Sequence, residues 1–227
     1  MIRVGAEEKS GTSIRRKVLA LLCFLLTRQD MSATRDQVLD ALWPELPPDL
    51  ALNSLNQTAY FLRRVFEPGF QDDLSPGYLH HTPDLVWLDN ELITSRSRQC
   101  ASVLARLPPT PSPQEIEMLV AEYRGRFAMD FAYEDWAAGY RDALHAAYLE
   151  AVEQAIVDDT NAGYFDRAIG VARRSLAVDP DAEHLELGLL RLYRRTGAHA
   201  AAAEQYEHYA AYLRNELGIE PPPLALI

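Results

Sequence analysis

One predicted helix, Leu50 to Phe66, carries amide and guanidinium side chains on a face without an acidic residue. On a wheel of about 100° per residue, its apolar stripe consists of Leu55, Ala59, Leu62 and Phe66. The opposite face contains Asn53, Gln57, Tyr60 and Arg64, flanked by Asn56, Phe61 and Arg63. Asn and Gln can each offer a donor and an acceptor to adenine in the major groove of DNA, and Arg can bind guanine or phosphate. The pattern is typical of a helix that contacts bases, and an ordinary amphipathic helix with a neutral polar face would share it.

Two helices are predicted ahead of this one and a strand pair after it. The first helix spans Ile14 to Arg28. The second spans Ala33 to Leu42, with Ser32 as its cap and Asp36 in its first turn, where a carboxylate favours the helix dipole. Tyr78–His81 and Leu85–Leu88 predict two strands around a turn. Three helices followed by a hairpin is the element order of a winged helix-turn-helix.

The hairpin would then be the wing, and it carries little positive charge. His80 and His81 are its only residues that could be cationic, and Asp84 lies at its turn. A pair of neighbouring His residues is more often structural than metal-binding, so we assign no metal site and no cofactor.

A Pro-rich spacer at 108–113 separates the hairpin from a region that is predicted to be entirely helical. Gly163 and Gly197 are separated by the same interval as Ala168 and Ala202. A repeated helix–turn–helix unit of about 34 residues is typical of tetratricopeptide repeats. The sequence therefore predicts a mainly α protein: a winged-helix domain over residues 1–93 and an all-α, tetratricopeptide-like domain over residues 94–227.

Composition excludes several classes of protein. The chain has 22 Lys and Arg against 33 Asp and Glu, a net charge of −11, so any contact with DNA must be a local patch. Residues 1–93 carry 9 basic and 13 acidic residues, a net −4. Three or four cationic contacts per copy would bind weakly, which favours two copies on adjacent half-sites.

Neither secretion, a disulfide framework nor catalysis is indicated. The apolar run Val18–Leu26 follows basic residues but is too short to span a bilayer, and Thr27–Asp30 lacks the small residues of a cleavage site. We interpret this segment as a buried helix of a cytoplasmic protein. Two Cys residues make no disulfide framework, and the phosphate-loop, nucleophile-elbow and zinc-helix motifs are absent. We interpret the pair Asp158–Asp159 as a solvated stretch, and we predict that the chain is not an enzyme.

Several segments in a fixed order resemble the bacterial antibiotic-regulatory (SARP-type) activators. The segments similar to the winged helix of that family are Arg16–Leu22, Ala41–Pro44, Ala51–Phe66 and Gly77–Tyr78. Those similar to its bacterial transcriptional activator domain are Tyr123–Gly125, Asp135–Ala137, Arg141 and Glu216–Pro221. The resemblance covers Ile14 to Pro222, nearly the whole chain.

The resemblance implies a DNA-binding transcriptional regulator whose third helix enters the major groove, usually at tandem repeats. Carried over by position, the base-contacting residues would be Asn53, Asn56, Gln57, Tyr60, Arg63 and Arg64. Ser32 and Arg35 would contact phosphate through an exposed helix N-terminus, and His80 and His81 would lie on the wing. The implied partners are double-stranded DNA, a second copy of the chain, and RNA polymerase or other regulator modules, with no membrane.

Three departures from the family pattern carry expectations of their own. Relatives have a small sheet ahead of the first helix, whereas Met1–Ser13 predicts at most one short strand, Ile2–Val4. Phe61 occupies a position where relatives often have Arg, which would remove a phosphate or base contact. The first departure, together with a short tail after Pro223, predicts a piece or a trimmed member of a larger regulator.

An alternative function is a protein-interaction scaffold whose winged helix no longer binds DNA. The concave side of the helical hairpins, near Tyr193, Tyr206, Tyr209 and Tyr212, would then hold a partner segment. Tyr residues at this spacing are more often core between helices than a binding surface, so we rank the scaffold second.

Overall fold

The computed structural model describes residues 2–4, 7–9, 14–70 and 77–226, and it divides into two compact units. The first unit contains residues 1–98 and 127–142, and the second contains residues 99–126 and 143–227. The described part of the chain is mainly helical. The first unit includes a segment that lies beyond the Pro-rich spacer in sequence.

Two short strands precede the first helix. Strands β1 (Ile2–Val4) and β2 (Glu7–Lys9) form an antiparallel pair in which Arg3 lies opposite Glu8. The prediction of at most one strand ahead of the first helix was therefore wrong. Three-residue strands are too short for a period-of-two pattern to be visible in the sequence.

Helices α1 (Arg16–Leu26), α2 (Arg35–Leu42) and α3 (Pro48–Phe66) pack together in the first unit. Their core includes Leu21, Phe24 and Leu25 of α1 and Leu55 and Leu62 of α3, all fully buried. All three predicted helices are present: α1 is two residues shorter at each end than predicted, and α2 and α3 end as predicted but start two residues later and two residues earlier, respectively. Pro48 at the first helical position of α3 agrees with the preference of Pro for that place, where no N–H is required.

The predicted cap of the second helix was wrong. Ser32 lies in a strand, β3 (Ser32–Thr34), and Thr34 is the cap of α2. The Thr34 hydroxyl accepts from the Gln37 N–H at 3.2 Å, and the Gln37 side chain accepts from the Thr34 N–H at 3.0 Å. The strand forms because Ser32 pairs with Trp87 across the sheet, a contact between segments distant in sequence.

The predicted hairpin is confirmed as β4 (Leu79–His81) and β5 (Leu85–Leu88). With β3 it makes an antiparallel sheet of order β3–β5–β4, which buries Leu79, Val86 and Leu88 in the core of the unit. The sheet therefore attaches the hairpin to both α2 and α3.

The first unit also contains residues 127–142. A 3₁₀ turn (Met129–Phe131) buries Phe131, and Trp136 lies in the first residues of helix α6 (Asp135–Ala162). The Trp136 ring contacts Phe24 and Phe131, with centroids 5.9 and 5.3 Å apart. Arg141 is buried and donates to the carbonyls of Phe131 and Ala132 at 3.3 and 3.1 Å.

The second unit is helical throughout its regular elements. Its helices are α5 (Pro113–Glu122), the later part of α6, α7 (Phe165–Val178), α8 (Glu183–Arg195) and α9 (His199–Tyr212). Helix α4 (Arg96–Leu104), which the sequence did not predict, begins in the first unit and continues into the second. A π turn (Leu213–Leu217) and a 3₁₀ turn (Leu224–Leu226) follow α9.

The repeat seen in the sequence has equivalent geometry at both copies. Gly163 and Gly197 both have positive φ, 83° and 73°, at the turns that precede α7 and α9. Ala168 and Ala202 are both buried where each helix packs on its neighbour. A left-handed Gly followed by a small buried residue therefore recurs at the turns before α7 and α9.

The Pro-rich spacer ends in a helix start. Ser112 caps α5 in a capping box with Glu115, and Pro113 is the first helical residue.

The structure corrects the interpretation of Asp159 as solvated. Asp159 is half-buried and ion-paired with Arg167, whose Nε lies 2.8 Å from Oδ2 of Asp159. Tyr193 and Tyr209 are buried between helices, as expected for core residues.

Candidate nucleic-acid interface

Helix α3 has a buried face and an exposed polar face as the sequence predicted. Leu55, Ala59 and Leu62 are fully buried, and Phe66 is nearly so. Five residues of the predicted base-contacting set are exposed: Asn53, Asn56, Gln57, Tyr60 and Arg64. These side chains are therefore available to a ligand along most of the length of the helix.

The two Arg residues near the end of α3 have different environments. Arg64 is exposed, and its guanidinium donates to the Tyr60 hydroxyl at 3.0 Å and to the Pro68 carbonyl at 2.9 Å. Arg63 is half-buried, and its Nε donates to the Leu79 carbonyl of β4 at 3.1 Å. Arg63 thus connects α3 to the hairpin, and Arg64 stays on the exposed face.

His81 of the hairpin lies near two guanidinium groups. Burial lowers the pKa of His81 below its usual 6.5, and the charges of Arg63 and Arg35 lower it further. The His81 ring is therefore more easily kept neutral than an exposed imidazole. The cluster of Arg35, Arg63 and His81 (here the basic corner) contains residues from α2, α3 and β4.

His80 is held against the sheet. Its ring stacks on Trp87 with centroids 4.7 Å apart, and its Nε2 lies 3.8 Å from Oδ2 of Asp89. The N–H groups of Leu92 and Glu91 donate to Asp89 and lower the pKa of that carboxyl. His80 therefore has an aromatic and an acidic neighbour within the unit.

The start of α2 is already partly satisfied within the protein. The capping box uses the side chain of Thr34 and the backbone N–H groups of Thr34 and Gln37. The Arg35 N–H donates to the Asp84 carbonyl at 2.9 Å, and the Arg35 guanidinium is half-buried, 3.9 Å from Asp36. Ser32 is half-buried in β3, two residues before the Thr34 cap, and so does not itself form this helix terminus.

The structure brings a further cation to α3 that the sequence analysis did not predict. The guanidinium carbon of Arg15 lies 3.9 Å from the centroid of the Phe61 ring. Arg15 is the residue that precedes α1, and its backbone carbonyl accepts from the N–H groups of Val18 and Leu19. Nothing in the sequence signals the pairing, because the two residues are far apart along the chain.

The described part of the chain was compared with two other classes of protein, metal-binding and membrane-spanning, and fits neither. No group of three or more His, Cys, Asp or Glu side chains there could hold a metal ion. No described helix is both long and apolar enough to cross a membrane.

Comparison with known proteins gives a family match over the second part of the chain. Residues 88–225, more than half of the chain, match the family described as bacterial transcriptional activator domain. Regulatory protein AfsR of Streptomyces coelicolor is 30% identical over 213 residues, which cover 90% of this chain and 20% of that protein. Transcriptional regulator RedD of the same species is 27% identical over 223 residues, which cover 95% of this chain and 63% of that protein. The chain thus spans about a fifth of AfsR and less than two thirds of RedD.

A solved structure is similar to nearly the whole chain. It is the structure of Mycobacterium tuberculosis EmbR in complex with a low affinity phosphopeptide. The TM-score is 0.54 at 19% identity, and the match covers 93% of this chain and 57% of that one. At this identity the similarity concerns the fold alone.

Proposed function

Because this chain belongs to the bacterial transcriptional activator domain family, we propose that it regulates transcription by binding double-stranded DNA through helix α3. The matched family is named for transcriptional activation and the relatives are named as regulators, which supports the prediction that the chain has no catalytic role. The proposal assigns residues 1–93 as a winged-helix DNA-binding domain. It assigns residues 94–227 as the activator domain.

The observation that carries the proposal is the exposed face of α3. It presents amide groups from Asn53, Asn56 and Gln57 and a guanidinium from Arg64, without a carboxylate among them. These donors and acceptors match the base edges of the major groove, and an α-helix fits that groove in width. The one carboxylate of α3, Asp49, is exposed in the first turn of the helix, and the face from Asn53 to Arg64 has none, in a chain with a net charge of −11.

The hairpin and the basic corner support the same orientation. Arg63 ties α3 to β4, and Arg35 begins the helix that precedes α3. In a helix-turn-helix the first helix of the pair crosses the phosphate backbone while the second lies in the groove. Arg35 is therefore assigned to phosphate and α3 to bases, with His80 and His81 at the wing.

We assign a different role to the second unit. The recurring turns at Gly163 and Gly197 and the buried Ala168 and Ala202 support a tetratricopeptide-like packing of α7, α8 and α9. Surfaces of stacked helical pairs are suited to protein contacts. This unit would contact a second copy of the chain, or RNA polymerase and other regulator modules.

The test is selection of bound duplexes from a random pool by the whole chain at low salt. In the selected duplex, Gln57→Ala and Arg64→Ala should each weaken binding by about 1–3 kcal/mol, as expected for lost base contacts. Arg173→Ala, which removes an exposed guanidinium from α7, is the matched control and should leave affinity unchanged.

Two results would count against the proposal. If no duplex is retained at low salt, the chain does not bind DNA, and the scaffold function with its protein partner takes its place. If a duplex is selected but Gln57→Ala, Arg64→Ala and Arg173→Ala all bind it like the wild type, DNA is bound by another surface.

A further inference from the structure

Phe61 lies on one flank of α3 and contacts a cation from the residue that precedes α1. The Arg15 guanidinium carbon is 3.9 Å from the Phe61 centroid, well within the range of a cation–π contact. Phe61 is half-buried, whereas Arg15 is exposed. The ring is thus fixed by the fold, and the cation that rests on it faces solvent.

The flank that Phe61 occupies receives no positive charge from α3 itself. On a helical wheel of about 100° per residue, the side of α3 that contains Phe61 also contains Leu50 and Ser54. Arg63 lies on the opposite flank, where it is bonded to the hairpin. Arg15 therefore supplies a cation to the flank that has none of its own.

A helix in the major groove has a phosphate strand on each side of it, so a cation on each flank has a phosphate within reach. A guanidinium that stacks on an aromatic ring keeps its edge N–H groups free for oxygen atoms. Stacking also limits the conformations of a long side chain before any ligand binds. Arg15 on Phe61 therefore has the geometry of a prepared phosphate contact.

The aromatic support continues along α3. The Phe61 and Tyr60 rings meet edge to face with centroids 5.6 Å apart, and the Tyr60 hydroxyl accepts from Arg64. Arg15 and Arg64 are thus positioned by two adjacent rings in one contact chain. Arg16, the neighbour of Arg15, is instead 3.8 Å from Glu134 and lies over Phe131.

We propose that Arg15, held on the Phe61 ring, binds a DNA phosphate beside α3, with Phe61 as its positioning residue. Phe61 thereby brings a cation to the flank instead of removing a contact from it. The inference rests on the proposed function, because it concerns how the same interface holds the duplex.

The first test compares Arg15→Ala with Arg16→Ala on the selected duplex over a series of salt concentrations. Each phosphate contact contributes about 0.9 to the slope of log affinity against log salt. Arg15→Ala should reduce the slope by about 1 and weaken binding equally on specific and unrelated duplexes. Arg16→Ala should keep the wild-type slope. A wild-type slope in Arg15→Ala would overturn the inference.

The second test asks whether Phe61 acts through Arg15. Phe61→Leu keeps an apolar side chain but removes the ring, so it should lower affinity and slope in the same sense as Arg15→Ala. The double variant should bind no more weakly than Arg15→Ala alone. Additive losses would overturn the positioning role, and thermal unfolding of each variant separates loss of fold from loss of contact.

The outcomes separate this inference from the proposed function. A wild-type chain that retains no duplex at low salt overturns both. If the wild type binds the duplex, Gln57→Ala lowers the affinity, and Arg15→Ala keeps the wild-type slope of log affinity against log salt, only the role of Arg15 is overturned.

Discussion

Arg63 and Arg64 are adjacent in sequence, yet the structure gives them different tasks. Arg63 is bonded to the Leu79 carbonyl and lies in the basic corner, whereas Arg64 stays exposed beside Tyr60. The helix period predicts which residues of α3 are buried, because burial depends on a local repeat of the sequence. It does not predict the partners of Arg63 or Arg15, which come from segments that only the fold brings together.

At this scale His81 should make the stability of the first unit depend on pH. Its pKa in the folded chain lies below the unfolded value of about 6.5, so the unfolded chain takes up the proton first as the pH falls. Stability contributed by neutral His81 is therefore complete above that pH and is lost on acidification through the folded pKa. In His81→Gln, the free energy of unfolding should fall less between pH 7.5 and pH 5.

All three Trp residues, Trp43, Trp87 and Trp136, lie in the first unit, so denaturant unfolding followed by Trp fluorescence measures that unit. The wild type and His81→Gln would be compared at both pH values. Equal losses of stability in the two proteins would contradict the assignment of this dependence to His81.

At the scale of elements, the start of α2 is determined by both its cap and the strand that precedes it. The sequence predicted Ser32 as the cap, and the structure has Thr34 instead because Ser32 pairs with Trp87 between β3 and β5. Helices with long periodic patterns, such as α3 and α7, could be predicted from the chain alone. The three-residue strands β2 and β3 could not, because their formation depends on partners rather than on local pattern.

Substitution of Thr34, the observed cap, should therefore lower the free energy of unfolding more than substitution of Ser32, the predicted cap. Thr34→Ala removes the acceptor of the Gln37 N–H and should lower the free energy of unfolding by about 1 kcal/mol. Ser32→Ala is the matched control, a hydroxyl removed two residues away, and should change it by less than about 0.5 kcal/mol. Urea unfolding followed by Trp fluorescence measures both, and a larger effect for Ser32→Ala would restore the original assignment.

At the scale of the whole molecule, net charge limits the affinity that the proposed binding of DNA could reach. Residues 1–93 have a net charge of −4, so a single copy has a small set of cations for phosphate even with Arg15 included. Under the proposed function, long-range attraction to DNA would be correspondingly weak, and affinity would depend on a few local contacts. The mainly helical fold was predictable from composition and periodicity, whereas the association of residues 127–142 with the first unit was not.

Binding should consequently depend strongly on the number of half-sites. Two copies on adjacent half-sites gain an effective concentration, typically worth about 10²–10⁴ in affinity over one copy on one half-site. A duplex with the selected repeat and a duplex with one half-site scrambled would be compared by titration at physiological salt. Equal affinities, or a stoichiometry of one chain on the intact repeat, would contradict paired binding.

Phe131 and Trp136 complete an aromatic core whose other members are encoded far upstream. A fragment that stops at residue 93 would leave Phe24 without its indole neighbour and would lack the buried Phe131 side chain, exposing apolar surface to water. The first unit is therefore not encoded by one continuous segment of the chain. Genetic recombination that transfers the first unit intact must include the coding sequence through Asp142, and therefore part of the domain that follows.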